Sequence, residues 1–114
     1  MFPVNGRLLR IFVGESDRYE GMPLYQWIVR RARESGLAGV TVLRGMEGFG
    51  PDSRMHTARI LRLAQDLPIV IEIIDTPEKI ASFVPDVDRV IAEGLMTLEE
   101  VQVRFYRAGA AEGE

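Results

Sequence analysis

Apolar residues cluster in four short stretches of the chain that are typical of β-strands. Every residue of Leu8–Val13 except Arg10 is apolar, so both sides of this predicted strand carry hydrophobic side chains. Val40–Arg44 and Ile69–Ile74 are rich in β-branched and apolar residues, which strands favour. A fourth strand is predicted over Val101–Arg107 near the C-terminus. The hydrophobic pattern therefore predicts a small sheet.

Between the first and second strands, the apolar spacing changes to that of a helix. Pro23 suits the first position of a helix, because the amide proton that it lacks has no intrahelical partner there. Gly36 suits the residue after the last turn. The positions predicted to face the core are Leu24, Trp27, Ile28 and Ala32.

A second helix is predicted between the third and fourth strands. Thr76 is the predicted N-cap, with Pro77 at the first position. Pro85 lies inside the pattern and removes a backbone donor, so we expect a kink or a brief interruption there. Glu93-Gly94 is the predicted end. The positions predicted to face the core are Ile80, Phe83, Val84, Val87 and Ile91.

The order of elements repeats as strand, helix, strand in each half of the chain. Two such units joined by short right-handed connections predict an α+β fold of the ferredoxin-like, split β-α-β type. In this fold a four-stranded antiparallel sheet carries both helices on one face. The length of 114 residues fits a single domain over residues 1–114, with an ordered core at residues 7–107.

The other face of the predicted sheet has no cover within one chain. Leu8 and Phe12 share this face by strand parity, and so do Val70 and Ile74 within their own strand. Together they form a larger apolar patch than monomers usually expose. We therefore expect oligomerisation to bury this face.

The longest connection, Gly45–Arg59, joins the second and third strands. Three glycines within six residues, followed by Pro51, cannot continue a strand, and long connections in compact domains are usually functional. Pro51–Arg59 buries few apolar residues, so it is expected to be the least protected part of the folded chain. Ile60–Leu63 fits a helical turn or an extended segment, and extended structure is favoured.

Composition narrows the class of protein. A hydrophobic content of 46% with 27% charged residues is ordinary for a soluble globular protein, and no apolar run approaches the roughly 20 residues that cross a bilayer. The absence of cysteine excludes disulfides and thiolate chemistry. Because no secretion signal is recognised, we expect a cytoplasmic location without membrane insertion. A net charge of -3 argues against general nucleic-acid binding.

Candidate binding chemistry lies in the glycine loop and near the C-terminus. Backbone amides of the loop, together with Arg54, Arg59, Arg104 and Arg107, suit a phosphate or another small anion. Simple turn formation is the alternative explanation of the glycines. The sequence leaves both interpretations open.

No enzymatic constellation accompanies these residues. His56 is the single histidine, and no paired nucleophile accompanies it. Glu15, Asp17 and Glu20 lack the repeated ligand spacing of a hard-cation site. We therefore predict neither catalysis nor a metal site.

Several motifs together resemble the PII signal-transduction proteins. In the T-loop region of PII, a Gly-Phe-Gly leads into a long loop containing His-Thr, and the chain returns through Leu-Pro into a strand. The closer resemblance is to a PII-like family of unknown function, DUF190. The matching residues are Gly48-Phe49-Gly50, His56-Thr57 and Leu67-Pro68 for PII, and Gly14–Arg18, Ala38–Gly45 and His56–Arg59 for DUF190. The last strand, with Arg104 and Arg107, is also similar to the arginine-bearing last strand of PII.

The resemblance implies a homotrimer whose sheets face inward. It implies an adenine nucleotide or a related small anion in the clefts between subunits, and a signalling loop, Gly48–Leu63, that contacts a partner protein. The alternative is a ligand-independent trimeric adaptor that binds its partner through the same loop. Genes of the family often neighbour fluoride exporters, so a membrane transporter is one partner implied by family association. The implied ligand-binding residues are Gly48, Phe49, Gly50, Arg54, His56, Arg59, Arg104 and Arg107.

Overall fold

The chain folds into one four-stranded sheet with two helices and two short ribbons. The computed structural model describes residues 4–49, 55–57 and 67–109. Its elements are β1 (Val4–Gly14), β2 (Arg18–Tyr19), β3 (Met22–Pro23), α1 (Leu24–Glu34), β4 (Thr41–Arg44), β5 (Glu47–Phe49), β6 (Met55–Thr57), β7 (Pro68–Asp75), α2 (Pro77–Val90) and β8 (Leu95–Val103). The main sheet has the order β4-β7-β1-β8, and all its pairs are antiparallel. The predicted split β-α-β fold is confirmed.

The core lies between one face of the sheet and the two helices. Alternation along the two central strands sends Leu9 and Ile11 of β1, and Ile71 and Ile73 of β7, to this face, where each is fully buried. Burying one such side chain stabilises the fold by roughly 1.5–3 kcal/mol. The helices contribute Leu24, Ile28 and Ala32 from α1 and Ile80, Phe83, Val87 and Val90 from α2.

Helix α1 begins one residue later than predicted. A tight β2–β3 hairpin precedes it, and the two central residues of that hairpin, Glu20 and Gly21, have φ values of 51° and 82°. Pro23 ends β3 and serves as the N-cap, with an extended ψ of 134°. Gly36 closes the helix with a φ of 79°, as the pattern predicted for a C-terminal glycine.

Helix α2 has the predicted start and a different end. The hydroxyl of Thr76 accepts a hydrogen bond from the Lys79 amide at 3.2 Å. The helix runs through Pro85 without interruption, and it ends at Val90 rather than at Glu93-Gly94. Ala81, whose carbonyl loses the amide of residue 85, lies on the exposed side, where water can donate to it.

The last strand was predicted in the wrong place. β8 spans Leu95–Val103 instead of Val101–Arg107. Two adjacent acidic residues in its middle hid the strand pattern, and the structure pairs each of them with an arginine of β1. Glu99 accepts from Arg10 at 3.1 Å and Glu100 accepts from Arg7 at 2.7 Å. Because β8 is an edge strand, such charged positions face solvent.

The glycine loop contains more regular structure than predicted. The main sheet stops at Arg44, but β5 and β6 form a separate antiparallel ribbon in which Gly48 lies opposite His56. The prediction that the main sheet stops at the glycines is therefore confirmed, whereas the separate ribbon of residues 47–49 and 55–57 was not predicted. Gly50, Arg54, Arg59, the Ile60–Leu63 alternatives and most of the predicted least-protected segment lie outside the described residues.

The remaining boundaries differ by a few residues. β1 is longer than the predicted Leu8–Val13, and its extension includes Gly6, where an added Cβ would lie 3.0 Å from Val103 Cγ2. β4 begins at Thr41 rather than at Val40. Within the described part of the chain, neither helix has the length and apolarity that a membrane span needs.

Candidate functional site

The candidate site residues lie at two opposite ends of the main sheet. We call the end where Gly14 pairs with Pro68 the loop end, because the glycine loop leaves β4 there. We call the end where Val4 pairs with Val103 the tail end, because the C-terminal segment leaves β8 there.

At the loop end, the glycines pack closely on Pro68. The Gly45 amide donates to the Pro68 carbonyl at 2.7 Å, and a Cβ at Gly45 would lie 2.7 Å from Pro68 Cγ. A Cβ at Gly48 would lie 3.2 Å from the same carbon. Close backbone approach therefore requires glycine at position 45 and favours it at position 48.

The β1–β2 connection closes against the same end. The Glu15 amide donates to the carbonyl of Leu67, a buried residue, at 2.8 Å. The carboxylate of Asp17 accepts from the Gly14 amide at 2.9 Å, which fixes the turn. Glu15 and Asp17 thus hold this connection in place, as expected for the turn that precedes a helix. Within the described residues, no group of three or more His, Cys, Asp or Glu side chains is placed to share a metal ion.

Arg44 is a cation at the loop end that sequence reasoning missed as a site residue. Its guanidinium donates to Glu15 Oε1 at 3.0 Å, while half of the arginine side chain stays exposed. The sequence feature that could have identified Arg44 is its position as the last residue of a strand, directly before the first glycine of the loop. Arg44 therefore places an accessible positive charge at the base of the glycine loop.

At the tail end, a basic and aromatic segment crosses the start of β4. The hydroxyl of Tyr106 donates to the Ala38 carbonyl at 2.8 Å, which ties residues after β8 to the α1–β4 connection. The guanidinium carbon of Arg107 lies 4.4 Å from the centre of the Phe105 ring. Phe105 and Tyr106 are both more than half exposed. Arg104 precedes them and directly follows β8.

One chain does not bring the two groups of predicted residues together. Gly48, Phe49 and His56 lie in the ribbon at the loop end, whereas Arg104 and Arg107 follow β8 at the tail end. Ten residue steps of β1 separate the ends, which is roughly 33 Å. A ligand that contacts both groups must therefore lie between two copies of the chain.

The sheet face opposite the helices is partly exposed in the single chain: Leu8 on this face is buried, and Phe12 and Val70 are half-buried. Leu8 pairs with Ile74 and Phe12 pairs with Val70, so all four side chains share this face. Ile74 remains 45% exposed. Arg10 lies at the centre of the face, where its hydrogen bond to Glu72 at 2.9 Å raises the pKa of the guanidinium. The face therefore combines an apolar surround with a central ion cluster.

A split β-α-β sheet with an open face and a glycine loop between β4 and β7 defines the chain as a PII-like protein. The chain belongs to the DUF190 family, described as "Uncharacterized ACR, COG1993", whose family model matches residues 6–103. A UPF0166 protein from Aquifex aeolicus is 41% identical over 102 residues, covering 90% of this chain and 96% of that protein. A UPF0166 protein from Methanocaldococcus jannaschii is 31% identical, covering 88% and 93%.

Solved structures with the same fold are PII-like proteins. CPII, a nitrogen regulatory PII-like protein from Thiomonas intermedia bound to ADP, AMP and bicarbonate, superposes with a TM-score of 0.66 at 15% identity, covering 90% of this chain and 91% of CPII. The Bacillus subtilis GlnK–ATP complex gives a TM-score of 0.51 at 9% identity, covering 85% and 82%. At these identities the likeness establishes the fold.

Proposed function

We propose that this protein is a non-catalytic PII-like regulator that acts as a homotrimer. Each cleft between copies takes an adenine nucleotide or a related small anion, and the Gly48–Leu63 loop reports the bound state to a partner protein. A cytoplasmic location stays a prediction. The nucleotides named for CPII and GlnK support this choice of ligand class.

The observation that carries the proposal is the separation of the loop end from the tail end. If the loop end of one copy meets the tail end of the next, Arg104 and Arg107 of the second copy reach the ribbon and Arg44 of the first. Guanidinium groups and free backbone amides suit phosphate oxygens. Phe49, Gly50, Arg54, His56 and Arg59 stay predicted contacts of the ligand or of the partner.

The open sheet face supports the oligomer. Ile74, Leu43 and Leu95 are each 45–56% exposed on this face in the single chain. A closed ring of three copies would turn these faces inward and remove the apolar surface from water. Light scattering coupled to gel filtration should give three times the chain mass. Ile74→Asp should shift the population toward monomer or aggregate, because it would bury an unpaired charge.

Ligand binding is tested first by thermal shift with ADP, AMP, ATP and bicarbonate. A ligand present at 100 times its Kd stabilises the folded state by about 2.7 kcal/mol. Arg104→Ala and Arg107→Ala should each weaken binding of the active nucleotide. Equal affinity in both single variants and in the double variant would remove these arginines from the site.

A mixing experiment tests the location of the site between copies. One chain carries Arg104→Ala with Arg107→Ala, and the other carries Gly48→Val, so neither alone has a complete site. When the two variants are refolded together in equal amounts, they should assemble at random into trimers. About one quarter of the clefts should then be intact, because an intact cleft needs its loop end from the arginine variant and its tail end from the Gly48→Val variant. A site built within one chain would show no recovery.

A ligand-independent trimeric adaptor is the second candidate function. The close packing of Gly45 and Gly48 on Pro68 favours it, since this packing explains two loop glycines without a ligand. Family association makes a membrane transporter such as a fluoride exporter the first partner to test. The adaptor would bind its partner with the same affinity whether or not any nucleotide is present, whereas the regulator would not.

A further inference from the structure

A groove between α1 and the edge strand β4 has the features of a protein docking site. It has a volume of about 510 Å³ and lies beside Val42, on the helix side of the sheet. Tyr25, Val29 and Arg33 line it at successive four-residue steps of α1, with Gln26 and Arg30 beside them. This stripe differs from the buried stripe of Leu24, Ile28 and Ala32, and Tyr25 lies at the border of the two, because it is half-buried and also packs against the core.

The arginines of the groove differ from their neighbours in having no anionic partner. Neither Arg30 nor Arg33 lies within ion-pair distance of a carboxylate among the described residues, and both are exposed. Arg31, between them, points elsewhere and pairs with Asp86 at 3.1 Å and Glu34 at 3.7 Å. In a chain with a net charge of -3, the groove therefore carries two arginines that no carboxylate of the described residues neutralises.

The strand beside the groove has a free hydrogen-bonding edge. β4 pairs with β7 on one side, and within the described residues no strand pairs with its other side. An edge of this kind accepts an added strand from a partner, with main-chain hydrogen bonds supplying affinity and side-chain pockets supplying specificity. The apolar floor and the cations then select the side chains of that added strand.

The direction of the added strand follows from the direction of α1. The Leu24 amide bonds to the Asp17 carbonyl at 2.7 Å, next to the loop end, while Gly36 lies near the start of α2 at the tail end. β4 runs the opposite way, from Thr41 to Arg44 at the loop end. A strand antiparallel to β4 therefore runs alongside α1, first past Val29 and then past Arg33.

We propose that this groove binds an extended segment of a partner protein, with apolar residues first and acidic residues after them. The segment adds to β4 as an antiparallel strand. Its alternate side chains pack on Val42 and Val29 and then place carboxylates beside Arg30 and Arg33. The residues that line the groove are not part of the Gly48–Leu63 loop, to which the proposed function assigns partner contact.

The probe is a fluorescein-labelled peptide, Val-Thr-Val-Thr-Glu-Thr-Glu, whose alternation puts two valines and two glutamates on one side. Fluorescence anisotropy should show saturable binding that weakens as salt rises. Lysine in place of both glutamates, or reversal of the peptide sequence, should weaken binding at least tenfold. Methylation of the backbone amides that face β4 should do the same, since strand addition needs these donors.

Two matched variants of the protein complete the test. Arg33→Glu should weaken peptide binding at least tenfold, whereas Lys79→Glu, the same charge change on α2 outside the groove, should leave it within twofold. Amides of β4 should exchange more slowly with the peptide bound. Absence of saturable binding, or equal affinity for the lysine peptide or in Arg33→Glu, would overturn the proposal. If Arg33→Glu instead lowers the oligomeric mass, the groove holds a second copy and the proposal is also wrong.

Discussion

Arg10 Nε lies 2.9 Å from Glu72 Oε2 at the centre of the open sheet face, and Leu8 and Phe12 flank it on the same strand. Glu99 approaches the same guanidinium at 3.1 Å from the other side. One cation on β1 therefore joins β7 and β8 across the middle strand. If three copies turn these faces inward, each copy carries an ion cluster into the interior together with its own counter-charges.

Arg10→Gln should lower the thermal stability of the assembly, because Glu72 and Glu99 lose their shared cation. The hydrogen bond to Glu72 raises the pKa of Arg10 above its ordinary, strongly basic value. A base with a raised pKa contributes stability that is fully present below its unfolded-state pKa and is lost only as pH rises through the folded-state pKa. The difference in Tm between wild type and variant should therefore be constant from about pH 6 to 9.

The matched control for this experiment is Arg18→Gln. Arg18 is exposed and donates to the carbonyl of Gly21 at 2.7 Å. It forms no ion pair with a carboxylate among the described residues. Its loss should change Tm much less than the loss of Arg10. A similar Tm for both variants would show that the central cluster has no special role.

Asp86 links the two helices and should make part of the stability depend on acid. The hydrogen bond from Arg31, assisted by Arg89, holds the pKa of Asp86 below its ordinary value of 3.8. A lowered pKa contributes stability above the unfolded-state value that is lost as pH falls through the folded-state value. Asp86→Asn should therefore lower Tm at pH 7, and the difference should shrink below pH 3.8.

Asp88→Asn serves as the control for Asp86, because Asp88 is exposed on the same helix and joins no ion pair in the described part of the chain. Its Tm should follow that of wild type at neutral and acid pH. An Asp86→Asn effect that grows toward low pH would contradict the ion-pair explanation.

Two glycines of the α1–β4 connection allow a direct test of backbone conformation. Gly36 has a φ of 79°, whereas Gly39 has no positive φ, and an added Cβ meets nothing within 4 Å at either position. Gly36→Ala should destabilise the chain by roughly 1–2 kcal/mol through its left-handed conformation. Gly39→Ala should be neutral or slightly stabilising in urea denaturation. Equal changes in stability for the two variants would show that the left-handed conformation at position 36 does not require glycine.

Tyr106 should control the position of the basic tail segment. Tyr106→Phe removes the hydrogen bond to the Ala38 carbonyl, a change of about 0.5–1.5 kcal/mol for an ordinary hydrogen bond. We expect faster amide exchange over residues 104–109 and weaker nucleotide binding if Arg104 and Arg107 contact the ligand. Tyr25→Phe is the control, since its hydroxyl has no hydrogen-bond partner among the described residues. Unchanged amide exchange over residues 104–109 would show that the hydrogen bond of Tyr106 does not hold this segment in place.

The sequence predicted the parts of the fold that hydrophobic burial determines. The central strands β1 and β7 and the core faces of both helices follow from spacing, because a shifted register would expose their apolar residues. The edge strand β8 was misplaced, because its middle is held by the pairs of Glu99 and Glu100 with β1 arginines rather than by burial. Pairs between residues about 90 positions apart leave no local pattern.

The candidate site was less predictable than the fold. Motif resemblance selected Gly48 and Arg104 together, but only the strand register shows that they lie at opposite ends of the sheet. The ion pair of Arg44 with Glu15 was not predicted for a related reason, since it depends on how two loops close against Leu67 and Pro68. A sequence pattern reports which residues share a face, and it does not report which distant turns meet.

The strand order also sets when the sheet can be completed. β1 precedes both of its partners, β7 and β8, by more than fifty residues along the chain. Such distant pairings slow folding, because long loops must close before any ladder forms. The side of β1 that pairs with β8 starts to be paired when Leu95 is available, opposite Phe12, and is fully paired only once Val103 is available, opposite Val4. Newly made chains should therefore depend on protection from aggregation until β8 has been synthesised.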